Sequence, residues 1–255
     1  VMIMRWLRFW EGERVKYGLE RDGQVVPVTG SPFGTYREEK KVYSLDEVLL
    51  LAPCEPSKIL CVGLNYRDHA REMNIQLPGE PVIFMKPSTT VIGSGQKIVC
   101  PSISRRVDYE AELAVVVSKM AKNVPRETAH EYIFGYTCGN DVTARDLQPK
   151  NGQWTISKSF DTFCPLGPVI ETEIDPADLP VRLLLNGEIR QSSNTDQMVF
   201  SPADLVSYLS RVMTLYPGDV ILTGTPSGVG PLAPGDEVTV EIAGIGSLVN
   251  YAVSE

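Results

Sequence analysis

The chain is poor in the residues that most metal and thiol chemistry uses. It has two histidines, His69 and His130, and five scattered cysteines (54, 61, 100, 138 and 164) with no CxxC spacing. Structural zinc needs clustered thiolates and imidazoles, and a disulfide framework needs an even, patterned set. Both are disfavoured, and a reducing cytoplasm is the expected setting. No stretch approaches the roughly 20 apolar residues of a membrane-spanning helix. The start, Val1 to Trp6, has no long apolar core of the kind a secretory leader carries, so no membrane partner is expected. Positive charge is also short: the net charge is −8 and no basic stripe stands out, which argues against nucleic acid as a partner. The nucleophile elbow, the helical zinc motif, the P-loop and the dinucleotide fingerprint are all missing. An acidic protein that handles an anionic substrate then needs a local cation or a few placed Arg and Lys side chains.

What is present suffices for a sizeable core, since 43% of the 255 residues are apolar. Residues 1–53 read as a small β-rich N-terminal domain, with strands over Arg5–Trp10, Val15–Glu20 and Gln24–Val28 between Gly-containing turns. Ser44-Leu45-Asp46-Glu47 has the form of a capping box and predicts a short helix through Leu51. Ala52–Pro56 reads as a linker into a main domain over residues 58–255. There Ile59–Gly63, Val82–Met85, Val181–Leu185, Val220–Thr223, Val238–Ile242 and Leu248–Val253 read as strands, and Asn65 to Glu72 as one or two helical turns. A helix is predicted over Glu127–Phe134, stopped by Gly135. Another starts at Ser201-Pro202, with Leu205, Leu209, Val212 and Met213 on one face. Many short strands and few helices predict a mainly β (α+β) fold, a sandwich or roll.

The most informative run is Asp108 to Val117, DYEAELAVVV. Side chains two apart on a strand share a face, so Glu110 and Glu112 project together. They repel unless one takes a proton or a cation sits between them. Asp141 follows another candidate strand, and three hard oxygen donors suit a divalent cation. The alternative is an edge strand with solvated glutamates. His69 and Glu72 are three apart, which on a helix makes either an oriented general base or a plain surface pair. His130 reads as surface. Lys158, between small residues and aromatics, is either snorkelling or held in a site. Arg145 suits a carboxylate clamp or a structural ion pair with Asp141 or Asp146. The glycine-rich Gly224–Gly230 is either a tight turn or a backbone anion cradle.

In order, GLNY followed by His69 and Glu72, FMKPST, DYEAEL, NDVTARD, KSFD and PGDVILTGTPSGVG resemble the fumarylacetoacetate hydrolase family, from about Lys58 to Val253. The resemblance implies a mixed β-sandwich roll, a homodimer, and Mg²⁺ or Mn²⁺ held by Glu110, Glu112 and Asp141. It implies a catalytic His69–Glu72 pair on a mobile lid, Lys158 beside the metal, and Arg145, Gln148 and Thr225 holding the substrate. The substrate implied is a small 2-oxo acid that reacts through an enolate. Metal-dependent cleavage of a C–C bond in acylpyruvate-type dioxo acids is the first expectation. Hydroxyheptadienedioate isomerisation, or decarboxylation of an oxopentene-tricarboxylate or of oxaloacetate, is the runner-up. A non-catalytic metal-binding β domain is the alternative of another class.

Overall fold

A computed structural model describes residues 4–255, and residues 1–3 of the opening segment weighed above as a leader lie outside the described residues. Strands Arg5–Glu11, Arg14–Arg21 and Gln24–Gly30 form an antiparallel meander. Its first strand pairs Arg5 and Trp6 with Glu171 and Ile170, so the meander extends the principal sheet of 13 strands. From there the sheet runs through Cys164–Glu171, Ile133–Asn140, Ala111–Val117, Val220–Leu222 and Ile59–Gly63 to an edge at Val82–Lys86. A second sheet of five strands contains Pro180–Leu185, Glu188–Asn194, Glu237–Ile242 and Gly246–Ser254.

The strand Ala111–Val117 is buried along its whole length. Leu113, Val115 and Val117 share a core with Val181, Leu183, Val240 and Leu248 of the second sheet. Ala114 and Val116, on the opposite face, enter a second core with Ile59, Cys61, Cys164 and Leu222. The architecture is mainly β with short helices, as the strand pattern predicts. Among the described residues no helix is long and apolar enough to cross a membrane.

Several local expectations are corrected. Ser44 caps nothing: Leu45–Glu47 is one 3₁₀ turn, and Leu49–Leu51 is a strand paired with Arg8–Trp10. Pairing with an existing sheet edge outweighs a helix too short to stabilise itself. Arg126–Tyr132 is 3₁₀, and Gly135 lies inside the strand Ile133–Asn140, which pairs with Ala111–Val117. Within the segment read as a linker, Ala52 and Cys54 are packed into the core. The helix Pro202–Val212 does carry a capping box and buries Leu205, Val206 and Leu209, but Val212, its last residue, is 63% exposed.

Candidate active site

The alternation of the central strand continues backwards past Ala111. Val107, Tyr109 and Ala111 face the inter-sheet core. Asp108, Glu110 and Glu112 take the other face, beyond the point where Ala114 ends its apolar packing, and all three are buried. Strand register brings the third carboxylate in: Asn140 pairs with Ala111, and the Asp141 N–H donates to the Glu110 carbonyl at 2.9 Å. Ligand oxygens of Glu110, Glu112 and Asp141 lie within 4.8 Å of one another.

Cations surround two of these carboxylates. Lys158, at the end of the short helix Thr155–Lys158, is buried and held in the site. Its Nζ donates to Asp141 Oδ2 at 2.6 Å and to Glu110 Oε2 at 3.0 Å. Arg145 bonds Asp108 Oδ2 at 2.8 Å, Gln148 Oε1 at 2.6 Å, and Glu110. Its ion pairs are therefore with Asp108 and Glu110, in place of the Asp141 or Asp146 considered from sequence; Asp146 accepts bonds from Ser104 and Arg105. Sequence reasoning gave Lys86 no role. It is fully buried, with Nζ 2.7 Å from Asp141 Oδ1, and it donates to the carbonyls of Val142 and Phe163 at 2.9 and 2.7 Å. These partners are far away along the chain, so no local motif announces them.

The environments push the carboxyls apart. Burial raises the Glu110 carboxyl, but Lys158 and Arg145 outweigh it and hold the group at about 2. Glu112 has no ion pair among the described residues and goes the other way: burial, then the charges of Asp141 and Glu110, push it well above the carboxylate range. Burial works against a charged Lys158, yet Asp141 and Glu110 raise it above the ordinary lysine value. Beneath the site burial pushes the Cys164 thiol up to about 12, so it offers no thiolate nucleophile.

The donor set fits a divalent cation. Asp141 Oδ1 is buried and receives no aligned hydrogen bond. Among the described residues the only bond to the Glu112 carboxylate comes from the Gly224 N–H, at 2.6 Å to Oε2. Hard oxygens on a buried, mutually repelling trio are what Mg²⁺ or Mn²⁺ takes up, here in exchange for contacts from Lys86, Lys158 and Arg145.

The other wall of the cavity is the helix Arg67–Met73. His69 Nδ1 lies 2.9 Å from Glu72 Oε2. The helix is anchored by Arg67, which donates to the carbonyls of Asp196 and Met198 at 3.1 and 2.7 Å. Just before it, Asn65 Nδ2 bonds the Phe200 and Thr223 carbonyls at 2.9 and 2.8 Å. The glycine-rich segment is both a turn and an anion cradle. Gly224 and Gly228 have φ of +98° and +94°, a region glycine enters without strain. Their N–H groups point at the protein's own carboxylates: Gly224 at Glu112, and Gly228 at Glu72 Oε1 and Oε2, at 3.1 and 3.3 Å.

His69, Glu110, Glu112, Asp141, Arg145, Gln148, Lys158 and Thr225 line one cavity of about 540 Å³. Glu72 stands behind His69, outside the lining. Leu64, Met73, Phe84 and Trp154 add an apolar side that the sequence did not signal. His130 is exposed, as expected.

Comparison with known proteins places this geometry. The family model described as "Fumarylacetoacetate (FAA) hydrolase C-terminal" matches residues 58–253, and one described as "Rv2993c-like, N-terminal" matches residues 4–53. The chain belongs to the fumarylacetoacetate hydrolase family. A protein of Methanocaldococcus jannaschii is 54% identical over 211 residues, covering 83% of this chain and 89% of its own. The mitochondrial oxaloacetate tautomerase Fahd2a of Rattus norvegicus is 47% identical over 81% of this chain and 70% of its own. The crystal structure of 2-hydroxyhepta-2,4-diene-1,7-dioate isomerase from Mycobacterium marinum superposes with a TM-score of 0.92 at 42% identity, covering 99% of each chain.

Proposed function

We propose that this chain is a divalent-metal-dependent enzyme that moves a proton on the carbon beside the 2-oxo group of a small dicarboxylic 2-oxo acid. It would thereby interconvert keto and enol forms or shift a double bond. The observation that carries the reading is a single cavity lined by both the buried carboxylate trio and His69. Glu110, Glu112 and Asp141 would hold Mg²⁺ or Mn²⁺. When bound, the ion supplies Lewis acidity toward the 2-oxo oxygen of a substrate.

The chain's own groups cover the remaining needs. Glu72 sits on Nδ1 of His69, which orients the ring and leaves Nε2 to accept and return the substrate proton. Lys158, kept protonated by Asp141 and Glu110, can donate toward developing negative charge. Arg145 has unengaged N–H groups beside Gln148 and Thr225, where a substrate carboxylate can be clamped. Charge favours a dicarboxylate. Asp108, Glu110, Glu112 and Asp141 are matched in number by Lys86, Arg106, Arg145 and Lys158. A dication then leaves two positive charges for the substrate to neutralise.

The relatives' names, tautomerase and isomerase, support proton transfer above the hydrolysis expected first from sequence. Acylpyruvate cleavage stays as the second reading, because the apolar side at Leu64, Met73 and Trp154 suits an acyl chain. A panel with Mg²⁺ or Mn²⁺ tests this: the oxaloacetate enol, the heptadienedioate, acetylpyruvate and fumarylpyruvate. Isomerisation of the dicarboxylates, abolished by chelator, is expected. Pyruvate release from acylpyruvates without isomerisation would establish the hydrolase instead. Metal uptake with no turnover of any substrate would leave the non-catalytic β domain. A homodimer in the cytoplasm remains the accompanying expectation, tested by sedimentation and fractionation.

A further inference from the structure

Beyond Thr223, whose N–H still donates to the Leu113 carbonyl at 3.1 Å, the chain leaves the ladder with the strand Ala111–Val117, and one side chain fills the gap beside Ala111. Gln191, on the second sheet, is fully buried. Its Oε1 accepts the Ala111 N–H at 2.9 Å, and its Nε2 donates to Thr225 Oγ1 and to the Pro226 carbonyl, both at 2.9 Å. The polar capacity of the amide toward the loop is thus spent on residues 225 and 226. Thr225 completes the join by donating to the Ala111 carbonyl at 2.9 Å. The backbone of the same strand also packs on the far end of the loop: a Cβ on Gly228 would lie 2.3 Å from the Arg190 carbonyl oxygen.

The short segment between Gly224 and Gly228 therefore touches Glu112 at one end and Glu72 at the other. We propose that Gln191 is a positioning residue: through the 224–228 loop it sets the distance between the His69–Glu72 pair and the carboxylate trio. This rests on the proton-transfer reading of that pair. Among the described residues the Glu72 side chain has no other partner than Gly228 and His69, while its helix is also held to the Gln191 strand by the Ser193 hydroxyl, which donates to Asp68. Losing the amide leaves the Thr225 and Pro226 oxygens without their buried donor, and the loop then has no fixed register against residue 111.

The test uses the full chain loaded with Mg²⁺ or Mn²⁺. Gln191→Met removes every bond; Gln191→Glu keeps an acceptor for the Ala111 N–H but presents oxygen to Pro226. Both variants are expected to lower kcat for the oxaloacetate enol by roughly 10- to 100-fold, as when a group orienting a site ligand is lost. KM should move by less than about threefold, because substrate clamping by Arg145 is untouched. Combining Gln191→Met with Glu72→Gln should lower kcat no further than the worse single change. Amide hydrogen exchange over residues 67–75 should quicken along with 224–228. Wild-type exchange over 67–75 with a loosened loop, or strictly additive losses in kcat, would overturn the proposal. The exchange readout needs no turnover, so it still decides if the wild type converts none of the substrates and the proton-transfer reading falls. If Gln191→Met does not fold, Gln191→Glu decides.

Discussion

The two walls of the cavity are built on different physics. The carboxylate wall grows from the ends of central strands: Glu110, Glu112 and Asp141 are 7%, 1% and 0% exposed. Their backbones belong to or adjoin the central strands of the sheet; Glu110 and Asp141 are set against Lys158, Arg145 and Lys86, and Glu112 is held by the Gly224 N–H. The opposite wall is a seven-residue helix, too short to hold its shape alone. It hangs on Asn65, Arg67, the Ser193–Asp68 and Arg71–Gln197 hydrogen bonds and the Glu72–Gly228 contact. Arg67, Arg71, Glu72 and Met73 are exposed. Burial sharpens electrostatics by lowering the local dielectric, but it demands matched charge. An element that must admit substrate is drawn from the low-stability end of the structure. On the proposed function, charge stabilisation sits in the core, and His69, the group assigned the proton, sits where local opening costs little.

The contrast can be broken experimentally. The largest effect is expected for Glu112→Gln, which removes a donor oxygen and its charge. Turnover should fall roughly a thousandfold or more, the several kcal/mol associated with metal-supplied charge stabilisation. Calorimetry should show weakened Mg²⁺ and Mn²⁺ binding. The metal-free variant should melt no lower than wild type, because repulsion from Glu110 and Asp141 is relieved. Lys86→Met should act in the opposite sense, on the fold. It leaves Asp141 with one cation, strips the Val142 carbonyl of its Lys86 donor and leaves the Phe163 carbonyl with the Val142 N–H alone, a loss of about 3–5 kcal/mol in urea unfolding. Changing the helix wall should separate function from stability. His69→Ala is expected to reduce turnover roughly 100- to 10,000-fold, with a stability change under about 1 kcal/mol and unchanged metal affinity. Lost metal binding in His69→Ala would mean that the walls are not independent.

How much of this is legible in the sequence follows the same division. Glu110 and Glu112 are readable because side chains from Val107 to Val117 go on alternating between the two faces across the break at Glu110 that separates the strands Val107–Tyr109 and Ala111–Val117. His69 and Glu72 are readable because three residues on a helix is a local relation. Lys86 and Gln191 are not, since each acts on partners 34 to 80 residues away, and only strand order brings those together. Arg145 shows the intermediate case. Its residue type announces an ion pair, but nearby Asp141 and Asp146 are decoys for the true partners Asp108 and Glu110. The Ser44 box fails for the reverse reason: a valid local motif is overruled when Leu49–Leu51 pairs with the first strand.

The smallest expected effect sharpens the boundary of the helix wall. Ser201 caps the helix Pro202–Val212: its Oγ accepts the Asp204 N–H at 3.3 Å, and Asp204 Oδ2 accepts the Ser201 N–H at 2.9 Å. Ser201→Ala should lose about 1 kcal/mol. Burial pushes the Asp204 carboxyl up, but the bonds from Arg126 and Ser201 outweigh it, and the net shift is downward. A lowered folded value contributes stability above the unfolded aspartate pKa of about 3.9, and that contribution is lost as pH falls through the folded value. The gap between variant and wild type should therefore narrow below about pH 4. Turnover should not change, because neighbouring Phe200 still clasps Asn65 through its N–H and its carbonyl. If kcat falls together with the cap, the wall carrying His69 depends on this helix as a whole, and its independence from the sheet is greater than the Asn65 anchor alone would allow.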